Sequence, residues 1–257
     1  LGCKVLVVER ETQFKDRVRG EWLAPWGVAE AQELGLYDAL VSAGGYQPAW
    51  NENRMGPASL GLRDLSTTTP QGLHAMTFYH PRAQEAVLEA AQRAGAEARR
   101  GARVTGVKTG APASVSLEVD GKTETASARL VVGADGRGSM VRKWAGFESK
   151  QDADQLWLAG VLFEGMASPE GTSVLVFNPF QCRDALIFPQ GGGRARCYFG
   201  ARTDTEPRLQ GDKDVPRFIQ LSIEAGLPAE YFANAVAQGP LATFPGADSW
   251  VDHPYHD

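Results

Sequence analysis

Apolar runs of two kinds follow one another along this chain, and the kind changes near residue 151. The chain opens on Lys4-Val5-Leu6-Val7-Val8, a continuous β-branched run that reads as a buried parallel strand ending at Glu9-Arg10. A polar segment through Arg19-Gly20 leads to a predicted helix from Pro25 to Leu34, closed by Gly35. Residues 43–72, rich in Gly, Pro, Asn and Ser, read as loops and short strands, and His74 to Tyr79 as a strand. A helix then starts at Pro81, with Ala83, Val87, Leu88, Ala91 and Ala94 as its apolar stripe and Gly95 as its end. Strands are predicted at Arg103–Lys108 and Val115–Val119, with Asp120-Gly121 turning a hairpin. Leu130-Val131-Val132 reads as another buried strand, and a helix is predicted from Met140 to Ala145.

Beyond Gln151 the pattern becomes that of an antiparallel sheet. Its predicted strands are Leu156–Phe163, Ser173–Phe177, Ala185–Phe188 and Ala195–Gly200, with Gly191-Gly192-Gly193 turning one hairpin. Two helices are predicted at Val215–Ala225 and Ala229–Ala237. The order is therefore an α/β part over 1–154 followed by a β-rich part over 155–257, with residues 43–80 making an excursion into the second part. The chain begins at Leu1 and is in a strand by residue four. A parallel strand needs neighbours, so the sequence predicts a fragment, or a chain from which an N-terminal piece is missing.

Composition narrows the function classes. The 257 residues carry a formal charge of -5, with no basic excess to neutralise phosphates, which argues against nucleic acid as the main partner. No apolar run approaches the roughly 20 residues that a membrane-spanning helix needs. Cys3, Cys182 and Cys197 are isolated, which fits reduced thiols and a cytoplasmic location. His74, His253 and His256 have no partner spacing for a metal. Trp22, Trp26 and Trp50 read as core packing before they read as an aromatic pocket, and Arg99, Arg100 and Arg103 as a solvated face.

Two places carry chemistry. Glu9 ends the opening strand, where dinucleotide-binding folds put an acid on the adenosine ribose. Taken alone, it reads first as a strand end in solvent. The second place is Gly133-Ala134-Asp135-Gly136-Arg137-Gly138-Ser139-Met140-Val141-Arg142. There a strand delivers Asp135 to a glycine turn, and the helix that follows aims its N-terminal amides at the same spot, which suits a pyrophosphate. An ordinary strand-turn-helix with solvated arginines fits it as well.

Gly-Ala-Asp-Gly-Arg-x-Ser-x-Val-Arg at 133–142 resembles the Asp-Gly motif of the flavoprotein aromatic hydroxylases, the family of p-hydroxybenzoate hydroxylase and phenol hydroxylase. Val-Val-Glu-Arg at 7–10 is similar to that family's second strand, and Arg19-Gly20 before an apolar helix to its next element. Leu241-Ala242-Thr243-Phe244-Pro245 resembles the stretch that leads back to the cofactor domain. The resemblance implies an α/β, Rossmann-like three-layer domain binding FAD, with an antiparallel substrate sheet. It also implies NAD(P)H as co-substrate and oxygen transfer to an aromatic small molecule. The cofactor-binding residues it implies are Glu9 and Arg10 at the ribose, Arg19 near the flavin, backbone at Val104 near the adenine, and Asp135, Gly136 and Arg137 at the turn. The family's Arg or Gln at the start of the helix after the substrate strand falls on His80 by counting and on Arg82 by residue type, and both stand. No catalytic side chain is named, because the cofactor carries such a reaction.

The chain departs from the family by having no glycine-rich pyrophosphate turn and no closing Gly-Asp motif. The expectation is accordingly that this polypeptide binds FAD poorly or not at all, although its gene encodes a flavoenzyme. Other reactions on the same fold stay open, namely a flavin-dependent halogenase or an isoprenoid double-bond reductase. So does a truncated paralogue that binds no flavin. Substrate identity and oligomeric state are not legible in the sequence.

Overall fold

The computed structural model describes residues 2–18, 20–153 and 155–255. In chain order the first elements are β1 (Leu6–Glu9), β2 (Trp22–Leu23), α1 (Pro25–Glu33), α2 (Tyr37–Ser42), β3 (Trp50–Met55), β4 (Ala58–Asp64), β5 (Met76–Thr77) and α3 (His80–Arg93). Then come β6 (Glu97–Arg100), β7 (Arg103–Lys108), β8 (Ala113–Val119), β9 (Lys122–Ala128), α4 (Met140–Trp144) and β10 (Lys150–Gln151). The remainder is β11 (Leu156–Glu164), β12 (Thr172–Asn178), β13 (Arg183–Gly191), β14 (Arg194–Arg202), α5 (Val215–Ala225), β15 (Val236–Ala237), β16 (Ala242–Pro245) and β17 (Ser249–Trp250). The chain divides into two compact units. The first comprises Leu1–Phe14, Ala91–Ala153 and Ala247–Asp257, the second Lys15–Ala90 and Asp154–Gly246.

The second unit is built on an eight-stranded sheet with the order β15-β11-β14-β13-β12-β3-β4, and with β16 also paired to β11. Its β13–β14 hairpin turns at Gly192 and Gly193, both at positive φ, which only the mirror-image turns of tight hairpins require. Alternation along the strands gives the sheet two different faces. Trp157, Val161, Phe163, Ile187, Cys197 and Phe199 belong to one large buried cluster with Phe218 and Leu221 of α5. At roughly 1.5–3 kcal/mol for each large apolar side chain taken out of water, this cluster is the main source of the unit's stability. The alternate positions include Leu158, Gly160, Asp184, Leu186, Arg196 and Tyr198, and carry the polar groups considered below. A smaller core joins Val28, Ala31, Leu40, Met76, Phe78 and Ala83.

The first unit is thinner. β1 and β6 form a two-stranded parallel sheet, in register from Leu6↔Glu97 to Glu9↔Arg100. β7, β8 and β9 form an antiparallel sheet whose second hairpin turns at Asp120-Gly121, at φ 50° and 74°. α4 packs beside the Asp-Gly turn: a Cβ on Gly133 would fall 2.8 Å from Val141 Cγ1.

Three sequence expectations are corrected here. Leu130-Val131-Val132 is not a strand, and Leu130 and Val132 are each 75% exposed. An apolar run becomes a strand only when a neighbour accepts its ladder, and among the described residues none pairs with 130–132. For the same reason the opening strand is only partly buried, since among the described residues β6 is its one partner. The helix expected over Ala229–Ala237 is a 3-10 turn, Ala229–Phe232, followed by β15, which pairs with β11. A second helix, α2, had no sequence expectation attached. Of the three tryptophans read as core packing, Trp22 packs against Phe188, while Trp26 and Trp50 are exposed, at 62% and 41%.

Candidate functional site

In the first unit the chain brings Glu9 to the carboxyl end of a parallel strand, the position where α/β folds bind ligands. Glu9 Oε1 accepts the Glu11 amide at 2.8 Å, which turns the chain at that end. The Glu9 carbonyl accepts the Ala102 amide at 3.1 Å, so the link into β7 lies against the end of β1. Val104 follows in β7, opposite Leu117, beside a bulge between Val104 and Gly106. Arg100 closes the same end, donating to the Thr12 carbonyl at 3.0 Å with its guanidinium over the Phe14 ring. Arg10 is exposed and lies 3.5 Å from Glu11. The Glu9 carboxylate thus stands at a strand end, a place that suits a ribose diol, while Val104 is laddered to Leu117.

The Asp-Gly turn has a different arrangement. Asp135 folds back onto α4: its Oδ2 accepts the Met140 and Val141 amides at 2.7 and 3.1 Å, and Oδ1 accepts the Ser139 hydroxyl. Ser139 Oγ accepts the Arg142 amide at 3.0 Å. The free amides of the helix start are therefore taken by the chain's own side chains, and the amides of α4 are not presented to a phosphate. Desolvation pushes the Asp135 carboxyl up, but the hydrogen bonds from Ser139, Val141 and Met140 outweigh it and hold it below the usual carboxylate range. Gly136 sits at φ 83°, where a side chain would be strained. Arg137 donates to the Ala247 carbonyl, and its own carbonyl accepts Arg142 Nη2 at 3.0 Å.

The second unit holds the other residues singled out by sequence. His80 opens α3. Its amide donates to Glu21 Oε1 at 3.1 Å, and its Nδ1 lies 3.2 Å from the Gly20 carbonyl, so Nδ1 carries the proton. Arg82 is exposed two residues on. Arg19 lies outside the described residues.

Sequence reasoning missed a buried polar cluster of this unit. Glu21, 1% exposed, binds three elements at once: the His80 amide at the start of α3, Gln190 Nε2 in β13 at 3.5 Å, and Arg196 in β14. Arg196 is fully buried, and its Nη2 also donates to both oxygens of Asp16 at 2.8 Å. The one available signal was an arginine inside the otherwise apolar run Ala195–Gly200. Glu21, 175 residues away, offers no such signal.

The sequence profile of the family described as FAD binding domain matches residues 1–227. No curated protein matches by sequence. Among solved structures, p-nitrophenol 4-monooxygenase from Pseudomonas putida DLL-E4 superposes at a TM-score of 0.80 with 17% identity, over 98% of this chain and 64% of its own. A flavoprotein/dehydrogenase from Cytophaga hutchinsonii gives 0.80 with 20% identity, over 100% and 64%. A flavin-dependent brominase gives 0.76 with 15% identity, over 98% and 63%. The chain thus spans somewhat less than two thirds of the length of these structures, and at such identities the likeness is one of fold.

Proposed function

This chain belongs to the FAD binding domain family, and on that premise we propose that the intact protein is an FAD-dependent monooxygenase that hydroxylates an aromatic or polyketide-like small molecule. The overall reaction converts an aromatic C–H, O2, NAD(P)H and a proton into C–OH, water and NAD(P)+. The observation that carries this reading is the extent of the family match, supported by a carboxylate at the end of a parallel strand, the kind of position at which dinucleotide folds hold a ribose.

FAD, when bound, supplies the electron transfer and the activation of oxygen. The residues of this chain bind, orient and exclude water. Glu9 accepts hydrogen bonds from the adenosine ribose, with Arg10 beside it, and the backbone at Val104 borders the adenine. Asp135, Gly136 and Arg137 shape the turn next to the cofactor. Because Asp135 already satisfies the amides of α4, its role is to hold that turn in one conformation rather than to donate its helix to a phosphate. Arg19 and the His80–Arg82 helix start are assigned to the flavin end. The large sheet of the second unit supplies the wall for the substrate. No group of this chain needs to act as nucleophile.

The test is oxygen consumption by the intact protein, coupled to NADH or NADPH oxidation and stimulated by a phenol. Product that forms only with added halide would instead support halogenation, the reading to which the fold likeness to a brominase gives weight. A colourless intact protein that takes up no FAD on titration would remove both.

A further inference from the structure

Among the described residues seven buried side-chain polar atoms have no partner, all of them in the second unit, and three are donors that lie together: Arg196 Nη1, Tyr198 OH and Trp22 Nε1. They belong to one contiguous cluster. Arg196 faces Phe188 directly across the β13–β14 ladder, and Tyr198 follows two residues later on the same sheet face. Phe188 touches both other rings, with centroids 5.9 Å from Trp22 and 5.9 Å from Tyr198. Buried polar groups are almost always paired, so three orphan donors in one cluster mark a place built for something else.

The cluster is also shaped. A Cβ on Gly160 would collide with Val18 and stand 3.0 Å from the Tyr198 ring, so glycine there is what lets Tyr198 and Val18 lie against the sheet. Val18 is fully buried at φ 52°, a conformation that costs a β-branched residue energy and is found where surroundings enforce it. Around the rim, Trp22, Leu186, Ala242 and Phe244 are only partly buried.

The donor set defines the ligand. Guanidinium and indole N–H groups donate and cannot accept. Burial, with Glu21 next, raises the Tyr198 hydroxyl far above its ordinary value, so it stays protonated. The partner must therefore be an acceptor. Its charge follows from the neighbours, because Asp16 and Glu21 together face the single guanidinium of Arg196. The guanidinium of Arg194 lies over the Tyr79 ring and pairs with Glu164. A further anion would meet a formal excess of one negative charge at low dielectric.

We propose that Tyr198, Arg196 and Trp22 form an acceptor-binding wall for an uncharged carbonyl oxygen, that of an aryl ketone or quinone ring system lying against Phe188 and Phe244. This deepens the monooxygenase reading and rests on it for the identity of the site as the substrate's. It predicts discrimination by functional group rather than by size.

The experiment is calorimetric titration of the full chain with three ligands of similar shape: 4-hydroxyacetophenone, 4-hydroxybenzoate and 4-ethylphenol. The ketone should bind tightest, with the carboxylate and the ethyl compound about tenfold weaker or worse. Tyr198→Phe and Trp22→Phe should each weaken the ketone severalfold and leave 4-ethylphenol unchanged. The proposal is overturned if the carboxylate binds as well as the ketone, if no ketone binding is found, or if both variants keep wild-type ketone affinity. The ligand series on the unaltered chain decides the matter even where a variant fails to fold. A separate FAD titration of the intact protein separates the two readings. Ketone selectivity without FAD uptake would leave this site standing and remove the flavin reading; FAD uptake without selectivity would do the reverse.

Discussion

Two parallel strand pairings occur among the described residues, and their sequences predict the opposite of their burial. β1, with the run Leu-Val-Val-Glu, pairs with β6 and is nowhere fully buried. β3, with Trp-Asn-Glu-Asn-Arg-Met, pairs with β12 inside the eight-stranded sheet, and its Asn51 and Glu52 are buried. Side-chain type does not decide burial here; the number of neighbours does. β3 has β4 on its other edge and a broad sheet beyond β12, whereas β1 has β6 alone among the described residues. The second unit thus stands on its own apolar core. The first presents strand ends and a capped turn.

The sharpest way to break that comparison is to cut one apolar side chain from each unit. Phe199→Ala removes a fully buried ring that lies 5.6 Å from Trp157. It should cost about 3–5 kcal/mol in denaturant unfolding. Val132→Ala, at an exposed valine, should stay within about 0.5 kcal/mol. Equal effects would mean that the first unit has a core of its own.

Next in size is Glu21→Gln. Removing its charge leaves Arg196 paired with Asp16 alone and weakens the hydrogen bonds at position 21, which should cost about 1–3 kcal/mol, with Glu21→Gln/Arg196→Met losing less than the sum of the two single variants in urea titrations. An additive double variant would show that the two side chains are not coupled.

Asp135→Ala removes the cap of α4. The expected loss is about 1 kcal/mol, confined to the first unit and visible as faster exchange of the Met140 and Val141 amides. In the intact protein the same change should weaken FAD binding, and unchanged affinity would remove Asp135 from the cofactor site.

The smallest effect is a matter of pH. The folded Asp135 carboxyl is held below its ordinary value. Its capping contribution is therefore fully present above the unfolded value of about 3.9 and is lost as pH falls through the lower, folded value. The amide shifts of Met140 and Val141 should titrate with a midpoint below about 3.9; a midpoint above it would mean that the cap does not form.

What was legible in the sequence was what is local. Asp120-Gly121 and Gly191-Gly192-Gly193 specify their hairpins through positive φ at neighbouring residues, and the stripe from Ala83 to Ala91 specifies α3. What was not legible depends on partners far along the chain. The run at 130–132 has the composition of a strand and no neighbour. Residues 236–237, read as helix, pair with β11. The Glu21–Arg196 pair spans 175 residues, and nothing near either residue announces the other. At the candidate site, the motif at 133–142 was visible, but the inward fold of Asp135 onto its own helix was not. The sequence shows only that a carboxylate, a hydroxyl and free amides lie within a few residues of one another.

Where FAD acts on the intact protein decides whether Glu9 and Asp135 border the cofactor. Hydrogen exchange of the intact protein, with and without saturating FAD, reads this residue by residue. Slower exchange on FAD addition in β1, at 101–104 and at 135–142, with the β11–β14 core unchanged, is the result predicted. Exchange that is the same with and without FAD at Glu9 and Asp135, or slowed only within the β11–β14 core, would contradict it.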